Sequence, residues 1–329
     1  MQTFRTELKP QKASFDIDYQ CFTLGIGSCF IENIGAMLDA RQLPFFQNPF
    51  GIVYNPLSIA QQLAAIISLE DNTKHYFFTK KDLFQHNGLW GSLQHHGRFS
   101  GENCDLVLNN INDSLETARD FFKKTNRILL TLGTANVFSW KETGEVVANC
   151  HKIPPQYFEQ KRLNVEEIVS HFKPIFEKIF LQNRDCQIII TVSPIRHIRD
   201  GLVENNRSKA VLLLAADVLS QFFDHVHYFP AYEIVMDDLR DYRFYERDMI
   251  HPNPTAIEYI WQFFAETFFD KKTRSIIQEV EKINDMLAHR PLHGADTEGY
   301  QKFREHLELK ILALRKQYSF LDFSKNKRQ

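Results

Sequence analysis

Residues 21–38 read CFTLGIGSCFIENIGAML, and the way this stretch folds decides the architecture of the chain. Cys21 to Ile26 is a short apolar run ending among glycines, and from Ile31 to Leu38 the apolar residues recur at helical rather than alternating spacing. Ser28 is therefore predicted at a strand-to-helix turn. Such a turn holds a hydroxyl at the carboxyl end of a strand, aims backbone N–H groups outward and adds the positive end of a helix dipole. These are the components of a nucleophile with an oxyanion site. The bland alternative is a serine that caps the helix behind it.

The same texture recurs downstream. Residues 127–132, 187–192 and 225–229 are short apolar runs, each preceded by a helical pattern, at 113–124, 165–182 and 204–223. This alternation predicts an α/β fold, a parallel sheet covered by helices on both faces, with any site at the carboxyl ends of the strands. Ser28, Gly133, Ser193 and His251 all fall at such ends or on the loops beyond them.

A second motif, Asp248-Met249-Ile250-His251, stands directly before a helical stretch entered through Pro252 and Pro254. Asp and His three residues apart on a turn face the same side, so the carboxylate fixes one imidazole nitrogen and leaves the other for Ser28. Read together, the two motifs predict a serine hydrolase with the chain order Ser, Asp, His.

Composition narrows the classes. With 329 residues, 43% of them hydrophobic and 24% charged, the chain has the makeup of a globular protein large enough for one α/β domain and an accessory piece. A net charge of −2 leaves no electrostatic footprint for nucleic acid or an anionic membrane. Five cysteines without a CxxC pair make neither a disulfide framework nor a zinc site, and fit a reducing, cytoplasmic setting. Residues 1–10 carry charges and no apolar stretch, which is not the pattern of a secretory signal. Residues 42–69 are free of charge, but Pro44, Pro49 and Pro56 forbid one spanning helix. They read instead as an extended loop over 43–55 and a helix with Asn55 as N-cap and Pro56 in first position.

Residues 77–105 break the alternation, placing His86, Trp90, His95, His96 and Arg98 among glycines and polar residues. They read as an insertion over the site, a lid or binding loop. From residue 271 the texture becomes charged and amphipathic. Ile276, Ile277, Val280, Ile283 and Leu287 form one stripe and Phe303, Leu307, Ile311 and Leu314 another, with a break at Arg290-Pro291 and Gly294. Two terminal helices are predicted, packing on the domain or on a second copy as a homodimer. The division expected is 1–270 and 271–329, with a frayed tail at 325–329.

Gly27-Ser28-Cys29-Phe30 resembles the signature of the GSCFA domain, a bacterial family related to the SGNH (GDSL-like) esterases and acyltransferases. The resemblance spans roughly residues 1–268 and includes Asn149-Cys150-His151-Lys152, Ser193-Pro194-Ile195-Arg196-His197, and Asp248 to His251 with Pro252. Ile31 departs from the alanine of the motif, one turn into the helix, where it bears on packing. The resemblance implies a three-layer, SGNH/flavodoxin-like sandwich. It further implies ester chemistry by Ser28, His251 and Asp248, with no cofactor or metal, on a small-molecule or carbohydrate ester. The oxyanion would be held by the Ser28 N–H, by a second-block glycine, and by a third-block asparagine. The glycine is Gly51 or Gly88, with Gly51 preferred. The third block is Ile128 to Asn136; Asn136 stands three residues after Gly133 instead of two, so either Asn136 or Thr134 with backbone groups completes it.

Other residues keep two readings. Asn149 and His151 are either substrate contacts or a buried turn. Arg196, with His197 and Arg199, either receives an anionic group or is a solvated basic turn, and the rings of residues 240–247 either wall the pocket or pack on the core. Cys29 is an alternative nucleophile, since a helix N-terminus lowers a thiol pKa. His86, His95 and His96 match no zinc motif. A dinucleotide site fails because Phe30 stands where the third glycine belongs and no acidic residue follows a second strand. Against the hydrolase stands a non-catalytic carbohydrate- or ligand-binding protein, motivated by the displaced Asn136 and by Cys29 in place of the GDS aspartate.

Overall fold

The structure, a computed structural model, describes residues 6–67, 77–290 and 297–324. Strand β1 (Phe22–Gly27) turns at Ser28 into helix α1 (Cys29–Ala40), and the chain returns as the edge strand β2 (Phe45–Gln47). Helix α2 (Pro56–Ile67) follows, its Ser58 N–H capped by Asn55 Oδ1 at 2.8 Å. An excursion bearing the hairpin β3 (Phe84–His86) and β4 (Leu89–Gly91) precedes α3 (Cys104–Phe122) and β5 (Thr125–Leu132). A second excursion, β6 (Asn136–Trp140), β7 (Val146–Val147) and β8 (Phe158–Arg162), leads to α4 (Val165–Gln182) and β9 (Gln187–Val192). Then come α5 (Leu202–Phe222), β10 (Val226–Phe229), the short α6 (Ala231–Glu233) with a π-helical turn at Ile234–Leu239, and α7 (Pro254–Phe268), α8 (Lys271–Ala288) and α9 (Glu298–Gln317).

Five strands form one parallel sheet in the order β2-β1-β5-β9-β10. Counting only its own strands, the sheet runs 2-1-3-4-5, so the winding reverses between β1 and β5. In a doubly wound sheet the crevice for a ligand opens at that reversal, beyond the carboxyl ends of the two strands. Ser28 follows β1 and Gly133 follows β5.

Both faces of the sheet are covered, which is why its central strands read as unbroken apolar runs. Ile128, Leu130 and Leu132 of β5 share a core with Ile188, Ile190 and Val192 of β9 and with the apolar faces of α2, α3, α4 and α5. Leu129 and Ile189 point the other way, into a core built with α1, α7, α8 and α9. Ile31 is fully buried there, the packing role expected of it. The stripes Ile276, Ile277, Val280 and Ile283 of α8, and Leu307 and Leu314 of α9, enter the same core, so both terminal helices pack on the domain.

Several elements differ from the sequence reading. The loop expected over 43–55 contains β2, which pairs Phe45 with Thr23 and Gln47 with Gly25. Helix α3 starts at Cys104 rather than near 113, with Asn103 Oδ1 accepting the Leu106 N–H at 3.0 Å. Its buried stripe Val107, Ile111, Leu115 and Ala118 is helical in spacing, but the polar run Asn109 to Asp113 dilutes it. The two excursions form an accessory layer: a three-stranded antiparallel sheet β7-β6-β8 and the β3-β4 hairpin, sharing a small core of Val147, Ile153 and Phe158 with Phe84, Leu93 and Trp140. Among the described residues no helix is long and apolar enough to cross a membrane. The expected break at Pro291 and Gly294, the tail 325–329, residues 1–5 and the end of the uncharged stretch at 68–69 lie outside the described residues.

Candidate active site

The site begins with a close approach of two strands. Gly27 ends β1 at φ +148°, and a Cβ there would lie 2.4 Å from the Thr131 carbonyl oxygen of β5. Only glycine combines that dihedral with that spacing. Ser28 follows as the N-cap of α1, fully buried, with its Oγ accepting the Phe30 N–H at 3.3 Å. The turn Asn48-Pro49-Phe50-Gly51 is fastened to this corner. Asn48 donates its N–H to Gly25 O at 2.8 Å, accepts the Gly27 N–H on Oδ1 at 2.9 Å, and accepts the Gly51 N–H on its carbonyl at 2.8 Å. Arg98, from the insertion, adds a 2.7 Å bond to that same carbonyl.

The downstream motif is a tight turn ahead of α7. His251 Nδ1 lies 2.6 Å from Asp248 Oδ2, while Asp248 Oδ1 accepts the N–H groups of Ile250 at 2.8 Å and His251 at 3.0 Å. These bonds, led by the one from the His251 backbone, hold the Asp248 carboxyl down at about 2. A carboxylate only accepts, so Nδ1 carries a proton, and in the neutral ring Nε2 is the acceptor. The turn is held shut by Glu246 N–H to His251 O at 2.8 Å and by a bridge between Tyr245 and Pro252. Met249 takes the left-handed φ of +58° that the tight turn requires. Arg196 braces it from outside, donating to Met249 O at 3.4 Å with its guanidinium carbon 4.4 Å from the centre of the Tyr245 ring.

Three motif segments meet at one small crevice, whose walls include Phe30, Pro194, Ile195 and Pro252. The Ser28 helix, the loop after β9 and the start of α7 are therefore packed together. Among the described residues no hydrogen bond joins Ser28 to His251. Ser28 is buried, whereas the side chains of Asp248 and His251 are each 45% exposed.

The loop after β5 is tied to Tyr54 and to α5. Gly133 and Thr134 donate their N–H groups to Tyr54 O at 2.8 and 3.1 Å. Lys209, fully buried on α5, donates to the carbonyls of Gly133 and Ser193 at 2.6 Å each. His197 takes its place beside them: its N–H is held by Asn205 Oδ1 at 2.8 Å and its ring meets Tyr54 edge-on. Its buried Nε2 has no partner, and burial, with Lys209 and then His251 adding, lowers its pKa to about 4. A side chain at Gly133 would press on Tyr54 and His197 Nε2, at 3.1 and 3.2 Å from its Cβ, and oblige them to shift slightly.

The sequence model of the GSCFA family matches residues 23–264, and that of the GSCFA domain protein, C-terminal domain, matches residues 280–329. The chain belongs to the GSCFA family. Two solved structures are similar to it at 10% identity: a carbohydrate esterase family 3 from Talaromyces cellulolyticus, at a TM-score of 0.33, and an acetyl esterase mutant with acetate ion, at 0.34. Each alignment covers 80% of this chain and 99% of the other. No curated protein matches the chain.

In this GSCFA chain several of the donors expected to complete an oxyanion site are occupied elsewhere. The N–H of Gly51 closes its own turn on Asn48 O, and those of Gly133 and Thr134 are both given to Tyr54 O. Each N–H has one hydrogen, so these backbone donors serve to hold their own loops in place. Thr134 Oγ1 pairs with Ser208 Oγ at 3.1 Å and accepts the Asn136 N–H, also at 3.1 Å. Asn136 itself opens β6, in register with Arg162 of the accessory sheet. Gly88 sits in the β3-β4 hairpin turn at φ +79°, with open space around it.

Asn149 and His151, both half-buried, make their hydrogen bonds within the accessory layer. Asn149 Oδ1 accepts the His151 N–H at 2.8 Å, and His151 Nε2 lies 2.8 and 3.0 Å from the carbonyls of Ser92 and His95. Arg196 is neither free nor solvated on all sides, since it braces the Asp248 turn. The Cys29 thiol is half-buried 3.8 Å from Tyr54 Oη, and burial raises its pKa, opposite to what a thiolate nucleophile needs. Sequence reasoning gave no role to Asn48 or Lys209. Lys209 carried a signal: it falls on the stripe Asn205, Ser208, Leu212, Ala216 and Leu219, which is the buried face of α5.

Proposed function

We propose that this protein is a serine-dependent acyl hydrolase or acyltransferase acting on an ester, with Ser28 as nucleophile, His251 as general base and then acid, and Asp248 as the group that orients the imidazole. The observation that carries this reading is the 2.6 Å Asp248–His251 pair, set on a turn that runs into Pro252 and shares a crevice with the Ser28 helix. Ser28 Oγ attacks the ester carbonyl and gives its proton to His251 Nε2, while Asp248 stabilises the imidazolium. Collapse of the tetrahedral adduct expels the alcohol, which takes that proton, and leaves an acyl group on Ser28. Water or a second hydroxyl then removes it by the same steps in reverse. Before attack, Ser28 releases the Phe30 N–H; at 3.3 Å this is a long bond and a small obstacle to rotation. An acylated carbohydrate is the substrate class proposed, with either water or a sugar hydroxyl as acceptor.

The test is intact-mass analysis after treatment with a fluorophosphonate, beside Ser28→Ala and His251→Ala, followed by peptide mapping. An adduct on Ser28 that both substitutions abolish supports the reading. A folded protein that forms no adduct sinks it. The second reading, a binding protein on the same scaffold, draws on the full burial of Ser28 and its bond to the Phe30 N–H. It predicts ligand binding that survives Ser28→Ala with no turnover in the parent protein.

A further inference from the structure

We infer that Asn48 supplies the side-chain donor of the oxyanion site; this assignment rests on the serine reading above. The backbone donors of Gly51, Gly133 and Thr134 are spent on Asn48 O and Tyr54 O. The Asn48 carboxamide is not. Its Oδ1 accepts the Gly27 N–H at 2.9 Å, and because that partner is a donor, the atom facing it is the oxygen. The NH2 is thereby fixed on the other side of the amide. Asn48 is 1% exposed, and its Nδ2 has no partner. A buried donor without an acceptor is unfavourable, and such groups collect where an acceptor arrives with the ligand or the reaction.

Its position is also held in advance. Asn48 adopts a left-handed φ of +43°, fixed by its N–H to Gly25 O and by Gly51 and Arg98 on its carbonyl. The residue it bonds through Oδ1 is the immediate neighbour of Ser28. A donor immobilised before the reaction needs no reorganisation when charge develops, which is the property that makes oxyanion stabilisation effective. In the addition step the Ser28 Oγ–carbon bond forms, the carbonyl π pair moves onto oxygen, and the serine proton passes to His251. Asn48 Nδ2–H donates to that oxygen, and no bond of Asn48 is made or broken.

Asn48→Asp tests this, because it keeps an oxygen for the Gly27 N–H and the shape of the side chain while removing the donor. With p-nitrophenyl acetate as probe, kcat of the folded variant is expected to fall about 10²- to 10³-fold with KM nearly unchanged, and Tm to fall as well because the new carboxyl is buried. Unchanged kcat in a folded Asn48→Asp protein overturns the assignment. A crystal structure of the parent protein's fluorophosphonate adduct is the measurement that needs no variant. The phosphoryl oxygen is expected within hydrogen-bonding distance of Asn48 Nδ2. An adduct on Ser28 whose oxygen is held elsewhere overturns the role of Asn48 alone, whereas no adduct on Ser28 overturns the serine reading and this assignment with it.

Discussion

Lys209 reaches from α5 to the carbonyl of Gly133, 2.6 Å away, and ties it to Ser193 of the neighbouring strand end through the same Nζ. A buried lysine with two carbonyl partners acts as a clamp across the ends of β5 and β9. Replacing it by methionine leaves both carbonyls without a donor, so Lys209→Met is expected to lose about 2 kcal/mol of stability and to lower any esterase rate about tenfold. Burial pushes its pKa down from 10.5 to about 7. Between these values the unfolded chain binds the proton and the folded one does not, so this residue makes stability rise as pH goes from about 7 to 10.5. Urea melts across that range should show the rise in the parent protein and a flatter profile in Lys209→Met.

His95 predicts the behaviour in acid. It is fully buried among Phe50, Phe78 and Phe99, with Nδ1 3.0 Å from Ser92 Oγ. Burial, with His151 adding, lowers its pKa from 6.5 to about 3. The unfolded chain takes up this proton first on acidification, so stability falls as pH drops from about 6.5 to 3, by as much as about 3 kcal/mol at pH 4. Thermal melts of His95→Phe should show a weaker loss over the same interval. An identical acid limb in both proteins would assign the loss to other groups.

Two glycines with positive φ should respond differently to the same substitution. Gly27→Ala meets both an unfavourable dihedral and the Thr131 carbonyl at 2.4 Å, whereas Gly144 has φ +74° and nothing within 4 Å of a built Cβ. Denaturant melts should give a loss of about 3 kcal/mol or more for Gly27→Ala and about 1 kcal/mol for Gly144→Ala.

Arg196→Lys keeps the charge but removes the planar contact with Tyr245 and weakens the bond to Met249 O. The Asp248 turn is then less firmly placed. Steady-state kinetics on an activated ester should show kcat/KM lowered about tenfold, with less than about 1 kcal/mol lost from global stability. A variant with parental kinetics would mean that the turn is held by its own hydrogen bonds alone.

The sheet was legible because strands buried on both faces leave an unmistakable trace: residues 187–192 match β9 residue for residue. Elements that bury little left a weaker one. Three residues suffice for β2, between Pro44 and Pro49, and β8 exposes Glu159 to Arg162. The Asp248–His251 pair could be read from spacing, because both partners lie in one turn. The function of Asn48 and Lys209 could not, since it depends on which main-chain atoms of distant segments come to face them: Gly27 in one case, Gly133 and Ser193 in the other.

The accessory layer is made from two separate crossovers that grip each other. Ser92, Leu93 and His95 of the first offer carbonyls to His151 and Ala148 of the second, and Gln94 reaches back to the Val146 carbonyl at 2.9 Å. The acceptors are main-chain carbonyls, so the grip depends on the paths of the two backbones and on the side chains of His151 and Gln94. Loosening one crossover therefore frees hydrogen-bonding groups on the other, so the two excursions should open as one cooperative unit above the sheet.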